Sequence, residues 1–206
     1  MPPTATDPQV SIPQARDKLL AAAIFLMKKS GLTGAGINQI VARSGAPKGS
    51  VYYYFPEGKQ QLVSEALALY GRQVAAAFDK VLSSKKKPGD KIRALLRFVA
   101  GRLEGGAFEQ SCAAGAVTLD LDADVLALRP VIAAIFASWR TVIANHLTMR
   151  SRARRESLAG LVLSTIEGAY IRGRAESSKR AFLEAGEWLA QLADEEAGKS
   201  KNLHSK

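Results

Sequence analysis

The chain has 206 residues, 47% hydrophobic and 23% charged, which is the composition of one folded domain or of two small ones sharing a core. A single cysteine, Cys112, excludes an intramolecular disulfide framework and any multi-cysteine zinc or iron–sulfur site. Two histidines, His146 and His204, leave little for a metal-dependent enzyme, so no metal and no cofactor are expected. The net charge of +10 points to a polyanionic partner without locating its site.

Only +4 of that charge lies in residues 1–61, which hold seven basic and three acidic side chains. The rest clusters downstream, in Lys85-Lys86-Lys87 and at Arg150, Arg152, Arg154 and Arg155, and reads as solvated loops and helix faces. The longest apolar run, Leu19 to Met27, has nine residues, too few to cross a bilayer. No basic stretch followed by an apolar core opens the chain. A cytoplasmic protein with no membrane partner is expected.

Residues 1–13 hold four prolines and few bulky apolar groups, so they are expected to form a disordered tail. From there the apolar spacing is helical throughout, with no alternating stretch. Leu19, Ala22, Ala23, Leu26 and Met27 make one stripe, which Gly31 ends. Ile37, Ile40 and Val41 form a short second helix that stops at Ser44-Gly45. A third short helix follows Pro47 and includes Val51 to Phe55. After the turn Pro56-Glu57-Gly58, one helix should run from Lys59 to Ser83, with Leu62, Ala66, Leu69, Ala77 and Val81 along one side.

Pro88 opens the next helix with Asp90 in its first turn. Ile92, Leu95, Leu96, Val99 and Leu103 give its buried face, and Gly105-Gly106 ends it. A short helix is expected at Ala113–Leu119. A long one carries Ile132, Ile135, Phe136, Trp139, Ile143, His146 and Leu147 on one face. Leu158 to Ala169 and Phe182 to Ala193 mark the last two helices. The predicted fold is all-α with about nine helices. Its boundaries are a tail at 1–13, a three-helix unit at 14–70, a larger helical bundle at 71–196, and a disordered basic tail at 197–206.

Residues 37–55 read as helix, tight turn, helix. Ile40, Val41, Val51 and Phe55 face a shared core, and Gly45 permits the backbone of a helix C-cap. Left outside are Lys48, Gly49, Ser50, Tyr52 and Tyr53, with Tyr54 beside them. A cation, a glycine allowing close approach, a hydroxyl and aromatic hydroxyls at a helix N-terminal end suit base edges and phosphates in a major groove. Lys59, first in the next helix, can reach a phosphate. The alternative is that the tyrosines pack, but three consecutive ones cannot share one side of a helix.

The segment Gly45-Ala46-Pro47-Lys48-Gly49-Ser50-Val51-Tyr52-Tyr53-Tyr54-Phe55-Pro56-Glu57-Gly58-Lys59 resembles the DNA-binding signature of TetR-family transcriptional regulators. Its Phe-Pro-x-Gly-Lys ending resembles the LmrA/YxaF-like branch. So do Ser111 to Ala116, Trp139 and Ile166-Glu167-Gly168-Ala169 further on. The resemblance covers roughly residues 14–195. It implies a homodimer formed through about residues 156–195, a double-stranded DNA operator and a small-molecule effector that releases it. It gives Lys48, Gly49, Ser50, Tyr52 and Tyr53 the groove-facing roles and Lys59 a phosphate. Tyr54 stands where the family often has His, and Gly36 caps the second helix where Ser or Thr is usual.

For the effector, the expected contacts are Arg102, Phe108, Cys112, Phe136, Trp139, His146, Glu167 and Tyr170, the large or polar groups in otherwise aliphatic helices. Each also has an ordinary structural reading: Trp139 as core filler, His146 as a satisfied buried or interface histidine, Glu167 as partner to an arginine such as Arg140, Cys112 as apolar filler. Two other functions compete with an effector-released repressor. One is a DNA-binding protein without an effector, governed by a partner or by abundance. The other is an enzyme using Cys112, His146 and Glu167, for which no catalytic motif is present.

Overall fold

A computed structural model describes residues 15–120, 123–149 and 151–201. Among them are nine α-helices and no strands: α1 Ala15–Ser30, α2 Ile37–Ser44, α3 Gly49–Tyr54, α4 Lys59–Ser83, α5 Pro88–Gly105, α6 Ala113–Thr118, α7 Ala123–Asn145, α8 Arg152–Ala175 and α9 Arg180–Lys201. The helical periodicity of the sequence is thus met along the described chain. The expected tails at 1–13 and 202–206 lie outside the described residues. Residues 197–201 do not belong to a tail, because α9 continues through them.

Local chemistry sets the boundaries. Gly31 takes φ +65° after α1, and Gly45 takes φ +66° after α2 while its N–H bonds to the Val41 carbonyl at 3.1 Å. Pro88 begins α5, where its missing N–H costs nothing. Gly36 caps α2 in an extended conformation (φ −70°) with no side-chain bond. Any residue can adopt that backbone, so the glycine here forgoes a cap rather than supplying one.

The helices pack in two layers around one continuous core. α1 packs on α2, α3 and α4, and Leu19, Ile40, Val51, Phe55 and Leu62 are buried completely. The C-terminal half of α4 packs on α7, and α5 lies along α9 and α8. The buried side of α4 is Leu62, Val63, Ala66, Leu67, Tyr70, Gly71, Phe78 and Leu82, rotated from the predicted stripe; Leu69, Ala77 and Val81 are only half-buried. The rotation follows from α7. Trp139 is buried against α4 and donates its indole N–H to the Gly71 carbonyl at 2.9 Å. The Leu126–Asn145 stretch of α7, with mean hydropathy 1.5, is long and apolar enough by length and composition to cross a membrane. Here it lies in the bundle, one side packed on α4 and α8.

Glycine also sets how closely helices approach. A Cβ at Gly173 in α8 would lie 2.5 Å from Leu103 Cδ2 and 2.9 Å from the Ser178 carbonyl oxygen. Ala at that position gains up to about 1 kcal/mol of helix propensity but overpacks a site that includes backbone, which costs about 1–3 kcal/mol. Gly173→Ala is therefore expected to lower the urea midpoint; an unchanged or raised midpoint would show that α8 can shift.

Candidate nucleic-acid interface and cavity

The turn between α2 and α3 is held by its own polar atoms. The Ser44 hydroxyl donates to the Val41 carbonyl at 3.0 Å and accepts from the Ala46 N–H at 3.1 Å. The Ser50 N–H reaches the Pro47 carbonyl at 2.9 Å. With Val51 and Phe55 drawn fully into the core, α3 has only one way to face. Lys48 and Gly49 are exposed, Ser50 is half-buried, and Tyr52 and Tyr53 stand 55% and 78% exposed. Large exposed aromatics on one short helix are costly in water unless a partner covers them. Tyr54 is half-buried and stacks edge-on against Tyr53, with ring centroids 4.9 Å apart. Lys59 is half-buried at the start of α4, just past Gly58 at φ +72°. All six expected interface residues thus lie on α3 or within a few residues of its ends.

The second site is a narrow, partly open cavity in the larger bundle, with a volume of about 20 Å³. Five of the eight expected effector contacts line it: Arg102, Cys112, Trp139, Glu167 and Tyr170. Three do not. Phe136 stacks edge-on behind Trp139, centroids 5.5 Å apart. His146 lies just past the end of α7 and outside the cavity lining, its side chain 18% exposed and its Nε2 2.8 Å from an Asp79 carboxylate oxygen. Phe108, at φ +60° in the loop after α5, lines a separate open groove near Leu119 and Ile171. The sequence reading missed Tyr70, Val74 and Phe78 of α4 and Phe98 of α5, which complete the aromatic wall. They had no distinguishing signal, because each sits at ordinary helical spacing among other apolar residues.

Glu167 is the polar centre of the cavity. Its Oε1 is buried with no hydrogen-bond partner, and burial pushes the carboxyl pKa up to about 7. Arg140 is not its partner; its hydrogen-bonding neighbour is the Cys112 thiol. Burial also pushes the Cys112 thiol and the Tyr70 and Tyr170 hydroxyls upward, so all three stay protonated at neutral pH. A neutral buried thiol is a poor nucleophile, which fits the filler reading of Cys112. Gly115 allows this arrangement: a Cβ there would lie 2.2 Å from Glu167 Oε2. Among the described residues no group of three His, Cys, Asp or Glu could hold a metal.

The two sites are tied together. The Ser111 N–H donates to the Lys28 carbonyl at 2.8 Å, and Lys29 pairs with Glu109 at 2.8 Å. Asp120, just past α6, accepts hydrogen bonds from the Leu32 and Thr33 N–H groups in the turn after α1. The end of α1 is therefore held by the same loop and helix that bring Cys112 to the cavity.

An exposed, tyrosine-bearing second helix in a rigid helix-turn-helix, joined to a helical bundle with an internal cavity, defines a DNA-binding regulator. Residues 19–66 match the model of bacterial regulatory proteins of the tetR family, and residues 88–188 match that of the LmrA/YxaF-like transcriptional regulator C-terminal domain. The chain belongs to the TetR family of transcriptional regulators, in its LmrA/YxaF-like branch. It is 29% identical over 180 residues to the uncharacterized HTH-type regulator YxaF of Bacillus subtilis, covering 86% of this chain and 94% of that one. It is 29% identical over 164 residues to LmrA of the same organism, covering 79% and 87%. A Mycobacterium tuberculosis regulator, Rv0196, is 30% identical over 166 residues, covering 77% and 84%. The fold matches regulatory protein TetR from Rhodobacter sphaeroides (TM-score 0.78, 19% identity, 87% and 98% of the chains). It also matches the regulator CifR solved with 26-bp operator DNA (TM-score 0.73, 19% identity, 93% and 98%). These relatives are regulators and not enzymes, which removes the catalytic reading of Cys112, His146 and Glu167.

Proposed function

We propose that the protein is a ligand-responsive repressor. It binds a pseudo-palindromic operator as a homodimer in the cytoplasm and releases it when a small apolar or aromatic effector fills the cavity. Lys48, Gly49, Ser50, Tyr52 and Tyr53 meet the major groove, and Lys59 meets a phosphate. Gly49 suits such an approach: a Cβ there would meet nothing within 4 Å of the protein's own atoms, so only a partner's surface gives its bareness a use. The DNA-binding unit spans residues 14–70, and the effector and dimer unit spans 71–196.

Dimerisation through about residues 156–195 is supported by apolar groups left in water on α8 and α9. Leu161, Ile171 and Leu192 are exposed, and Trp188 is 73% exposed. Leu161, Gly168 and Ile171 fall on one side of α8, and a Cβ at Gly168 would meet nothing, so a second helix can approach closely there.

The observation that carries the ligand-responsive reading is the double duty of α4. Leu62 and Val63 sit in the DNA-binding core, while Tyr70, Val74, Ala77 and Phe78 wall the cavity. Whatever parts that wall acts on the same helix that follows α3 in the chain and packs on α1. Coupling in the usual range of about 1–3 kcal/mol weakens DNA binding roughly 5–150-fold, and reciprocity requires DNA to weaken effector binding equally. The test begins with selection from random duplex DNA at fixed salt, which should enrich a pseudo-palindrome with half-sites about 34–36 Å apart or a multiple of that. Effector affinity is then measured with and without that DNA. Equal affinities would leave a DNA-binding regulator without effector control, and selection without enrichment would reduce the protein to a nonspecific binder.

A further inference from the structure

The unit that carries α1 to α3 is joined to the larger bundle by α4, which belongs to both. A second attachment lies at the joint between α1 and α2, where the chain meets Asp120. This carboxylate stands just past α6, its own N–H returning to the Val117 carbonyl at 3.2 Å. One of its oxygens accepts from the Leu32 N–H and from the Thr33 N–H, the latter at 3.1 Å. The Leu32 side chain is buried in the core, so turning the joint away would expose it. Gly31 leaves room for the contact: a Cβ there would lie 2.6 Å from Asp120 Oδ2, and its φ of +65° suits glycine. α2 begins shortly after, at Ile37. Lys29 and Glu109 also pair across this seam, but their side chains are 47% and 63% exposed, and such pairs contribute little.

Resting on the dimeric operator-binding reading above, we infer that Asp120 is a positioning residue for DNA recognition: its grip on the Leu32–Thr33 turn fixes the set of α2 and α3 against the bundle, and so the half-site spacing that the dimer accepts. A unit joined through one helix can pivot about it, and a second attachment removes that freedom. The partners of Asp120 are backbone N–H groups, so the contact fixes the course of the chain and not the rotamer of a side chain. A carboxylate accepting from backbone N–H groups makes charge-assisted bonds, which are stronger than neutral ones. Asp120 acts through the joint before α2, so it sets where the reading helix stands and not what that helix reads. The grip and the cavity also share one short helix: α6 has six residues, and Cys112 at its start lines the cavity.

The test uses the full-length protein and the operator from the selection above. Two further duplexes carry the same half-sites moved apart by one base pair, and a single half-site. The parent is expected to prefer the selected spacing by about tenfold or more, the scale of the deformation that a misplaced half-site demands. In Asp120→Ala that preference should shrink about fivefold, while binding to the single half-site stays within about twofold of the parent. Asp120→Asn keeps a side-chain carbonyl of the same reach and should retain most of the preference. Thermal midpoints check folding, and Asp120→Ser replaces the alanine variant should that one fail to fold. An unchanged preference in Asp120→Ala, or a loss at the single half-site as large as at the full operator, overturns the positioning role and leaves the repressor reading standing. An equal loss of preference in Glu109→Gln does the same. A parent indifferent to spacing removes the dimeric reading, and the role of Asp120 falls with it.

Discussion

Glu167→Gln is expected to become more stable relative to the parent as pH rises, with the difference growing by about 3 kcal/mol between pH 4.5 and pH 7 and then staying level. The reason is the raised carboxyl. In the unfolded chain Glu167 ionises near pH 4.5, while in the folded protein it holds its proton to about pH 7. Between those values the folded state binds more protons than the unfolded one, so rising pH removes stability. Above about pH 7 the folded protein carries a buried carboxylate whose neighbours, Cys112, Tyr70 and Tyr170, are neutral and whose nearest cation in the cavity is Arg102. Gln has the same shape and never ionises. Urea unfolding of both proteins at a series of pH values across this range measures the difference directly. A difference flat in pH would mean that the carboxyl is solvated or paired in solution.

The DNA interface gives the second large effect. Tyr52→Ala is expected to weaken operator binding by about 1–3 kcal/mol, the range of a specific base contact. Lys48→Ala should weaken binding to all sequences and make the salt dependence shallower by about 0.9 in log–log slope for each phosphate that the lysine neutralises, counted once per protomer. Both side chains are exposed, so neither change should alter the stability to unfolding by more than about 0.5 kcal/mol. Unchanged affinity and salt slope in both variants would take α3 out of the interface.

The fold was legible wherever a residue punctuates the backbone. Gly31, Gly45, Gly58 and Pro88 set helix ends that the spacing alone would blur, and α4 runs from Lys59 to Ser83 as read from the sequence. The rotation of α4 was not legible, because apolar residues lie on both of its sides and the choice between them belongs to Trp139, 68 residues along the chain from Gly71. His146 was assigned to the Trp139 face on the assumption that α7 continues; the helix stops at Asn145, and one residue outside a helix is enough to redirect a side chain. The DNA-facing groups could be read because they are polar or aromatic where a core would be aliphatic. Much of the cavity wall could not, because nothing in the sequence separates an apolar residue beside a void from one beside another side chain.

The bond from Trp139 to Gly71 falls at the midpoint of α4, with twelve residues on either side. In the proposed repressor, this bond is the pivot on which α4 tilts. Val74, Ala77 and Phe78 line the cavity on one side of it, and the other side, about 18 Å long, begins at Lys59 just after the turn that follows α3. A tilt of about 10° moves the far end by about 3 Å, and the two copies of the proposed dimer move theirs together by about 6 Å, nearly two base-pair steps. The wall must give by only a comparable amount to throw both reading helices out of register. In the proposed repressor, such a tilt makes the response one to the bulk of the molecule in the cavity.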